Sequence, residues 1–114
     1  MLFLVLGYDR AQGGTEIRAR TRIAHLEFVA AHRAAFRFGG ALLGEGGRMI
    51  GTVALIEAPD RAALDCFLAG DPYNRAGLFG SVIICQANQA LPEIAQGALL
   101  AELERAKAQQ QNVA

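Results

Sequence analysis

His25 and Asp71 are the residues of this chain best suited to moving a proton. His25 falls in a stretch with helical apolar spacing, three residues after Arg22 and four before Val29, which turns it toward the sheet rather than open water. Asp71 stands immediately before Pro72, and a residue in that position is pushed out of the α region. A carboxylate bonded to one imidazole nitrogen fixes the ring tautomer and raises the basicity of the other nitrogen. That is the equipment of a general acid/base. Arg22 offers a forked donor for an anionic oxygen. Plainer roles stand beside these: His25 as a satisfied core histidine, Asp71 as a turn residue, Arg22 as a surface charge with its stem on the core.

Other chemistries find little support. His25 and His32 are the two histidines, and seven residues of helix span roughly 10 Å, too far for one metal ion to bridge. The run Gly44 to Gly47 lacks the Lys and Ser/Thr of a phosphate cradle. No Ser-His-Asp order with a nucleophile elbow is visible. Cys66 and Cys85 are expected to be buried, reduced thiols. No cofactor or metal is expected.

The elements that must position these residues follow from patterning. Leu2 to Tyr8 is a strand with apolar residues on both faces, and Asp9 to Gly14 is a turn. Thr15 is expected to cap a long helix from about Glu16 to Phe38, with Leu26, Val29, Ala30 and Phe36 as its stripe and Gly39-Gly40 as its stop. Ala41 to Leu43 and Met49 to Ala58 read as a strand pair joined across Gly44 to Arg48. Asp60 caps a second helix with Ala63, Leu64, Phe67 and Leu68 inward; Gly70-Asp71-Pro72 ends it. Leu78 to Ala87 is the last strand. The order β-α-β-β-α-β is the split βαβ, or ferredoxin-like, arrangement with an antiparallel sheet, an α+β fold. Its two helices lie side by side, so a pair such as His25 and Asp71 can meet. A third helical pattern at about 94–108, with Leu99, Leu100 and Leu103 on one side, extends this core of about 2–91, and the whole chain, 1–114, reads as one domain.

Two helices cover only one face of four strands. Val53 and Leu55 on one side of the third strand, and Ala54 and Ile56 on the other, make both faces apolar. A second copy of the chain is the economical cover for the exposed face, giving a homodimer or a higher oligomer. The formal net charge of zero, with 11 basic and 11 acidic residues, argues against nucleic acid as a partner. The arginines Arg18, Arg20, Arg22, Arg33 and Arg37 are read as a mostly solvated set. The apolar start is too short for a membrane span or secretory leader, so a cytoplasmic protein with no membrane partner is expected.

Two motifs and a strand carry a family resemblance. Arg22-Ile23-Ala24-His25-Leu26, the strand Gly51-Thr52-Val53-Ala54-Leu55-Ile56, and Asp71-Pro72-Tyr73 followed by Ala76-Gly77-Leu78-Phe79 resemble the YciI-like (YCII-related) family over roughly residues 2–91. The resemblance implies a dimer of the α/β-barrel type and a pocket holding a histidine and an aspartate, here His25 and Asp71. Arg22, Thr52, Tyr73 and Phe79 would lie nearby as substrate-binding residues. The aromatic pair has core packing as an equal alternative. The family is similar to proteins acting on ring-degradation intermediates, and one branch removes HCl from a chlorinated hydroxyhydroquinone. This chain has Leu43-Gly44 where the family often has Gly-Pro, and Thr52 where it often has serine, which keeps a hydroxyl. The expected function is therefore a small cofactor-independent lyase or isomerase acting on a small anionic cyclic or carbonyl metabolite. The alternative is a non-catalytic ligand-binding or accessory dimer using the same pocket.

Overall fold

The computed structural model describes residues 1–113. Four antiparallel strands, β1 (Leu2–Asp9), β2 (Phe36–Leu43), β3 (Met49–Glu57) and β4 (Phe79–Ala87), form one sheet in the order β2-β3-β1-β4. Helices α1 (Gly14–Ala31), α2 (Arg61–Ala69) and the short α3 (Pro72–Arg75) lie on one of its faces; α4 (Ala98–Val113) follows β4. This is the α+β, ferredoxin-like arrangement with a C-terminal helix.

The register explains which side chains meet the helices. Phe3 pairs with Ile56, Val5 with Ala54 and Gly7 with Thr52, and opposed residues share a face. Phe3, Ala54, Ile56, Ala58 and Leu64 form a buried apolar cluster beneath α2. Ile17, Tyr73 and Leu78 form a second beneath α1 and α3. The other face carries Leu4 and Leu6 of β1 and Val53 and Leu55 of β3, and none of the described helices covers it. Tyr8, Phe38 and Ile83 are exposed there.

Several local expectations are corrected. α1 ends at Ala31, and Phe36 to Gly40 belong to β2 rather than to the helix. A register shift between Phe36 and Phe38 sends the two rings to opposite faces, Phe36 opposite Ile56 toward the helices and Phe38 opposite Leu55 away from them, and a single turn at Arg33–Ala35 makes the reversal. Gly39 and Gly40 pair with Ala54 and Val53 on an edge strand and stop nothing. The N-cap of α1 is Gly13, not Thr15. Its φ of 78° lies in the left-handed region that glycine occupies without strain. Leu26, Val29 and Ala30 form no buried stripe: Leu26 and Ala30 are exposed, and the buried residues of α1 are Gly14, Ile17 and Arg18. Asp9 belongs to β1 rather than to the turn. Cys66 and Cys85 are both exposed, Cys66 on the outer side of α2 and Cys85 opposite Leu4 on the uncovered face.

Candidate functional site

The arrangement at the site starts from two chain breaks. Asp60 caps α2 by accepting from the Ala63 amide at 2.8 Å. α2 ends at Ala69, and Asp71 then caps α3, with Pro72 in the first turn where its missing N–H costs nothing. The Asp71 Oδ1 atom accepts from the Tyr73 amide at 3.0 Å. α1 lies against α3, which brings His25 to the same oxygen: His25 Nδ1 is 2.8 Å from Asp71 Oδ1. A carboxylate only accepts, so Nδ1 carries the proton and Nε2 of the neutral ring carries the lone pair. Nε2 has no hydrogen-bond partner among the described residues.

The imidazole rests on the Tyr73 ring, with centroids 3.9 Å apart and planes 15° from parallel. Tyr73 is 1% exposed. The Phe79 ring stands edge-on to it, 6.3 Å away at 85°. Phe79 in turn lies across Gly7, where a Cβ would come within 2.7 Å of the phenyl ring. Glycine at this strand position makes room for an aromatic wall.

Arg18 lies one helical turn before Arg22 on the same face as His25. It is 6% exposed. Its Nε and one terminal nitrogen bind both Asp9 oxygens at 2.7 and 2.8 Å, and that terminal nitrogen also donates to Thr52 Oγ1 at 2.9 Å. Its guanidinium carbon stands 4.9 Å from the Tyr73 ring centroid, and its other terminal nitrogen is 3.5 Å from the Tyr73 hydroxyl. The Asp9 hydrogen bonds raise the Arg18 pKa above its ordinary value, outweighing desolvation. A raised arginine pKa keeps the charge in place throughout the neutral range. Arg22 differs: it is half-buried, and its one side-chain hydrogen bond goes to Met49 Sδ at 3.1 Å, a weak acceptor.

These groups line one end of a cleft of about 430 Å³ between the helices and the sheet. Its other end is apolar, with Leu26, Val29, Phe36, Phe67 and Ile56. All six residues singled out from the sequence (Arg22, His25, Thr52, Asp71, Tyr73 and Phe79) line this cleft. Arg18 and Asp9 were missed, Arg18 because it was counted with the solvated arginines. The usable signal was spacing: Arg18, Arg22, His25 and Val29 recur at four, three and four residues, one face of one helix. Among the described residues no group of three or more His, Cys, Asp or Glu side chains is placed to hold a metal ion, and no helix is long and apolar enough to cross a membrane.

Comparison with known proteins bears on the family and the fold. The model of the YCII-related domain matches residues 1–88. The structure of 5-chloro-2-hydroxyhydroquinone dehydrochlorinase (TftG) from Burkholderia phenoliruptrix AC1100, in complex with 2,5-dihydroxybenzoquinone, is 30% identical in sequence. It superposes with a TM-score of 0.73 over 78% of this chain and 95% of that one. A dimeric ferredoxin-like protein of unknown function from Jannaschia sp. CCS1 is 13% identical, with a TM-score of 0.46 over 77% of this chain and 98% of that one. No curated protein sequence matches.

Proposed function

The chain belongs to the YCII-related family, and from that premise we propose that it is a small enzyme that works without a cofactor, using His25 and Asp71 for general acid/base chemistry on a small anionic cyclic or carbonyl metabolite. The observation that carries this reading is the 2.8 Å contact of His25 Nδ1 with Asp71, which leaves Nε2 unpartnered in a largely apolar cleft. Nε2 takes a proton from carbon or hydroxyl of the substrate. The electron pair left behind forms a new double bond. In an elimination a leaving group departs as an anion; in an isomerisation the proton returns at another atom. Arg22, whose charge has no acidic partner among the described residues, faces the developing oxyanion. Tyr73 and Phe79 hold the ring of the substrate.

The dehydrochlorinase likeness makes a hydroxylated, chlorinated ring the first substrate to try. Chloride release from 5-chloro-2-hydroxyhydroquinone, together with deuterium uptake from heavy water into hydroxyquinone rings, tests the reading. Either signal above the uncatalysed rate supports it. Binding of 2,5-dihydroxybenzoquinone with neither signal would leave the non-catalytic ligand-binding dimer as the better account.

The same reading takes the chain as a single domain acting as a homodimer through the helix-free face of the sheet. Phe38 and Ile83, 57% and 53% exposed there, support it. Sedimentation at micromolar concentration should show a dimer; a persistent monomer would sink this part. Where such a dimer resides in the cell, a cytoplasmic setting is the one we favour.

A further inference from the structure

We infer that the Asp9–Arg18 pair sets the polarity of the cleft: it makes Thr52 a hydrogen-bond donor toward bound ligand, so the site selects a planar ring bearing an acceptor oxygen for Thr52 as well as the anionic oxygen that Arg22 holds. The inference rests on the proposed function for the placing of the ligand. It adds a residue pair and a ligand pattern that this function does not contain.

Arg18 can only donate. It gives one N–H to Thr52 Oγ1 at 2.9 Å while Asp9 occupies its Nε and shares the same terminal nitrogen. Asp9 and Arg18 are both nearly enclosed, with side chains 10% and 7% exposed, so the guanidinium has little freedom to turn away. The Thr52 oxygen is thereby committed as an acceptor on its Arg18 side. Its hydroxyl hydrogen has no acceptor among the described residues, and Thr52 lines the cleft. What that hydrogen meets is solvent or ligand. A ligand offering a C=O or oxyanion there is favoured; one offering a C–H or a second donor leaves the hydroxyl unpaired. Arg22, a turn further along the helix, has only the Met49 sulfur and so demands a second, charged oxygen. The Tyr73 ring lines the same cleft, carrying His25 by stacking and approached by Arg18. Arg18 also lines the cleft, and in this scheme it is a positioning residue that acts on ligand through Thr52.

Affinity for the hydroxyquinone already named, measured by titration against wild-type and variant proteins, tests this. Thr52→Ser should bind as the wild type does. Thr52→Val should lose about tenfold, the worth of one hydrogen bond to an oxyanion or carbonyl. Arg18→Lys keeps the charge for Asp9 but cannot fork to Thr52, and should lose a similar factor. The double variant should lose no more than either alone, because both remove the same contact. Losses that multiply toward about a hundredfold, or an Arg18→Lys protein that binds normally, would overturn the inference. A check that needs no Arg18 variant is preference: the wild type should favour the dihydroxyquinone over a quinone lacking hydroxyls, and Thr52→Val should narrow that preference. A preference unchanged by Thr52→Val, or a wild type that binds neither ring, also overturns it. Selective binding without turnover in the wild type would remove the catalytic reading and leave this one standing.

Discussion

Two clusters sit side by side under the helices, and they are built on opposite plans. Beneath α2, Phe3, Ile56 and Leu64 close on one another with no polar group among them. Beneath α1 and α3, Tyr73, Ile17 and Leu78 enclose space that also holds Arg18, Asp9 and Asp71. The same two strands serve both. Along the shared register the pair Phe3–Ile56 gives way to Val5–Ala54 and then to Gly7–Thr52. Side-chain volume falls along β1 and β3, and the space released becomes the cleft. The apolar end gains stability from water exclusion alone. The polar end buries charge, which is tolerable because Arg18 is paired with Asp9 and Asp71 with His25, while Arg22 is only half-buried. The energetic return there is position rather than stability.

The comparison breaks most sharply if the polar end proves dispensable for chemistry. His25→Ala should lower turnover by about 10²- to 10⁴-fold, the usual worth of a general base. Asp71→Asn should cost less, because an amide oxygen still accepts from Nδ1–H, though without the charge. Both proteins should keep the wild-type sedimentation behaviour and circular dichroism. Rates on whichever substrate first shows turnover decide this; unaffected rates in both variants remove the pair from the mechanism.

Leu64 is the matching probe of the apolar end. It is 0% exposed, and Leu64→Ala should destabilise the fold by about 2–5 kcal/mol through lost transfer energy and a residual cavity. Equilibrium denaturation measures it. The imidazole resonances of His25 should stay where they are, since Leu64 belongs to the cluster under α2 and the Tyr73 ring that carries His25 belongs to the other. A shift in those resonances comparable to the one in Asp71→Asn would show that the two ends are one cooperative unit.

Gly7 lies where the two plans meet. An alanine there places its Cβ 2.7 Å from the Phe79 ring, inside contact distance. Phe79 must turn or the strand must shift, at about 1–3 kcal/mol. Because Phe79 braces Tyr73, ligand affinity should fall with stability. A Gly7→Ala protein with normal melting and normal hydroxyquinone binding would show that the aromatic wall is adjustable.

How much of this was legible in the sequence follows the same division. The strands, the order of elements and the Asp60 and Asp71 breaks were readable because alternation, helical spacing and Asx or proline chemistry are local signals. So was the doubly apolar sheet. The overextension of α1 came from reading Phe36 by helical spacing, and the register shift between Phe36 and Phe38, which sends them to opposite faces of the sheet, leaves no clean strand alternation to oppose that reading. Only pairing with Leu55 and Ile56, far along the chain, decides for the strand. Arg18 was hidden for a similar reason. A buried arginine differs from a solvated one by a partner, and Asp9 reaches it across the β1–α1 turn in a way that no short motif announces. Cys66 and Cys85 were misjudged because composition alone treats a thiol as a small hydrophobe.

α4 is where the smallest effect on the protomer and the least energetic contribution to the site are expected. Leu99, Leu100 and Leu103 are exposed, and the helix packs closely on none of the other elements. The Cα radius of gyration is 17.4 Å, against about 13 Å for a compact chain of this length. A helix held that way contributes little to the stability of its own subunit, because few of its apolar atoms leave water. Its leucine stripe gains energy only from a surface outside its own protomer, and the proposed dimer would bring such a surface into the same assembly. Removing residues from Gln96 onward should therefore leave hydroxyquinone affinity within about twofold and far-UV helix content reduced only by the lost segment, while lowering solubility or the assembly state seen by sedimentation. A truncated protein with unchanged assembly, solubility and melting temperature would mean that the stripe packs on nothing. A truncated protein that cannot bind ligand would mean that α4 reaches the cleft of a neighbouring subunit, and the division between positioning and stabilising regions would then run between chains as well as within one.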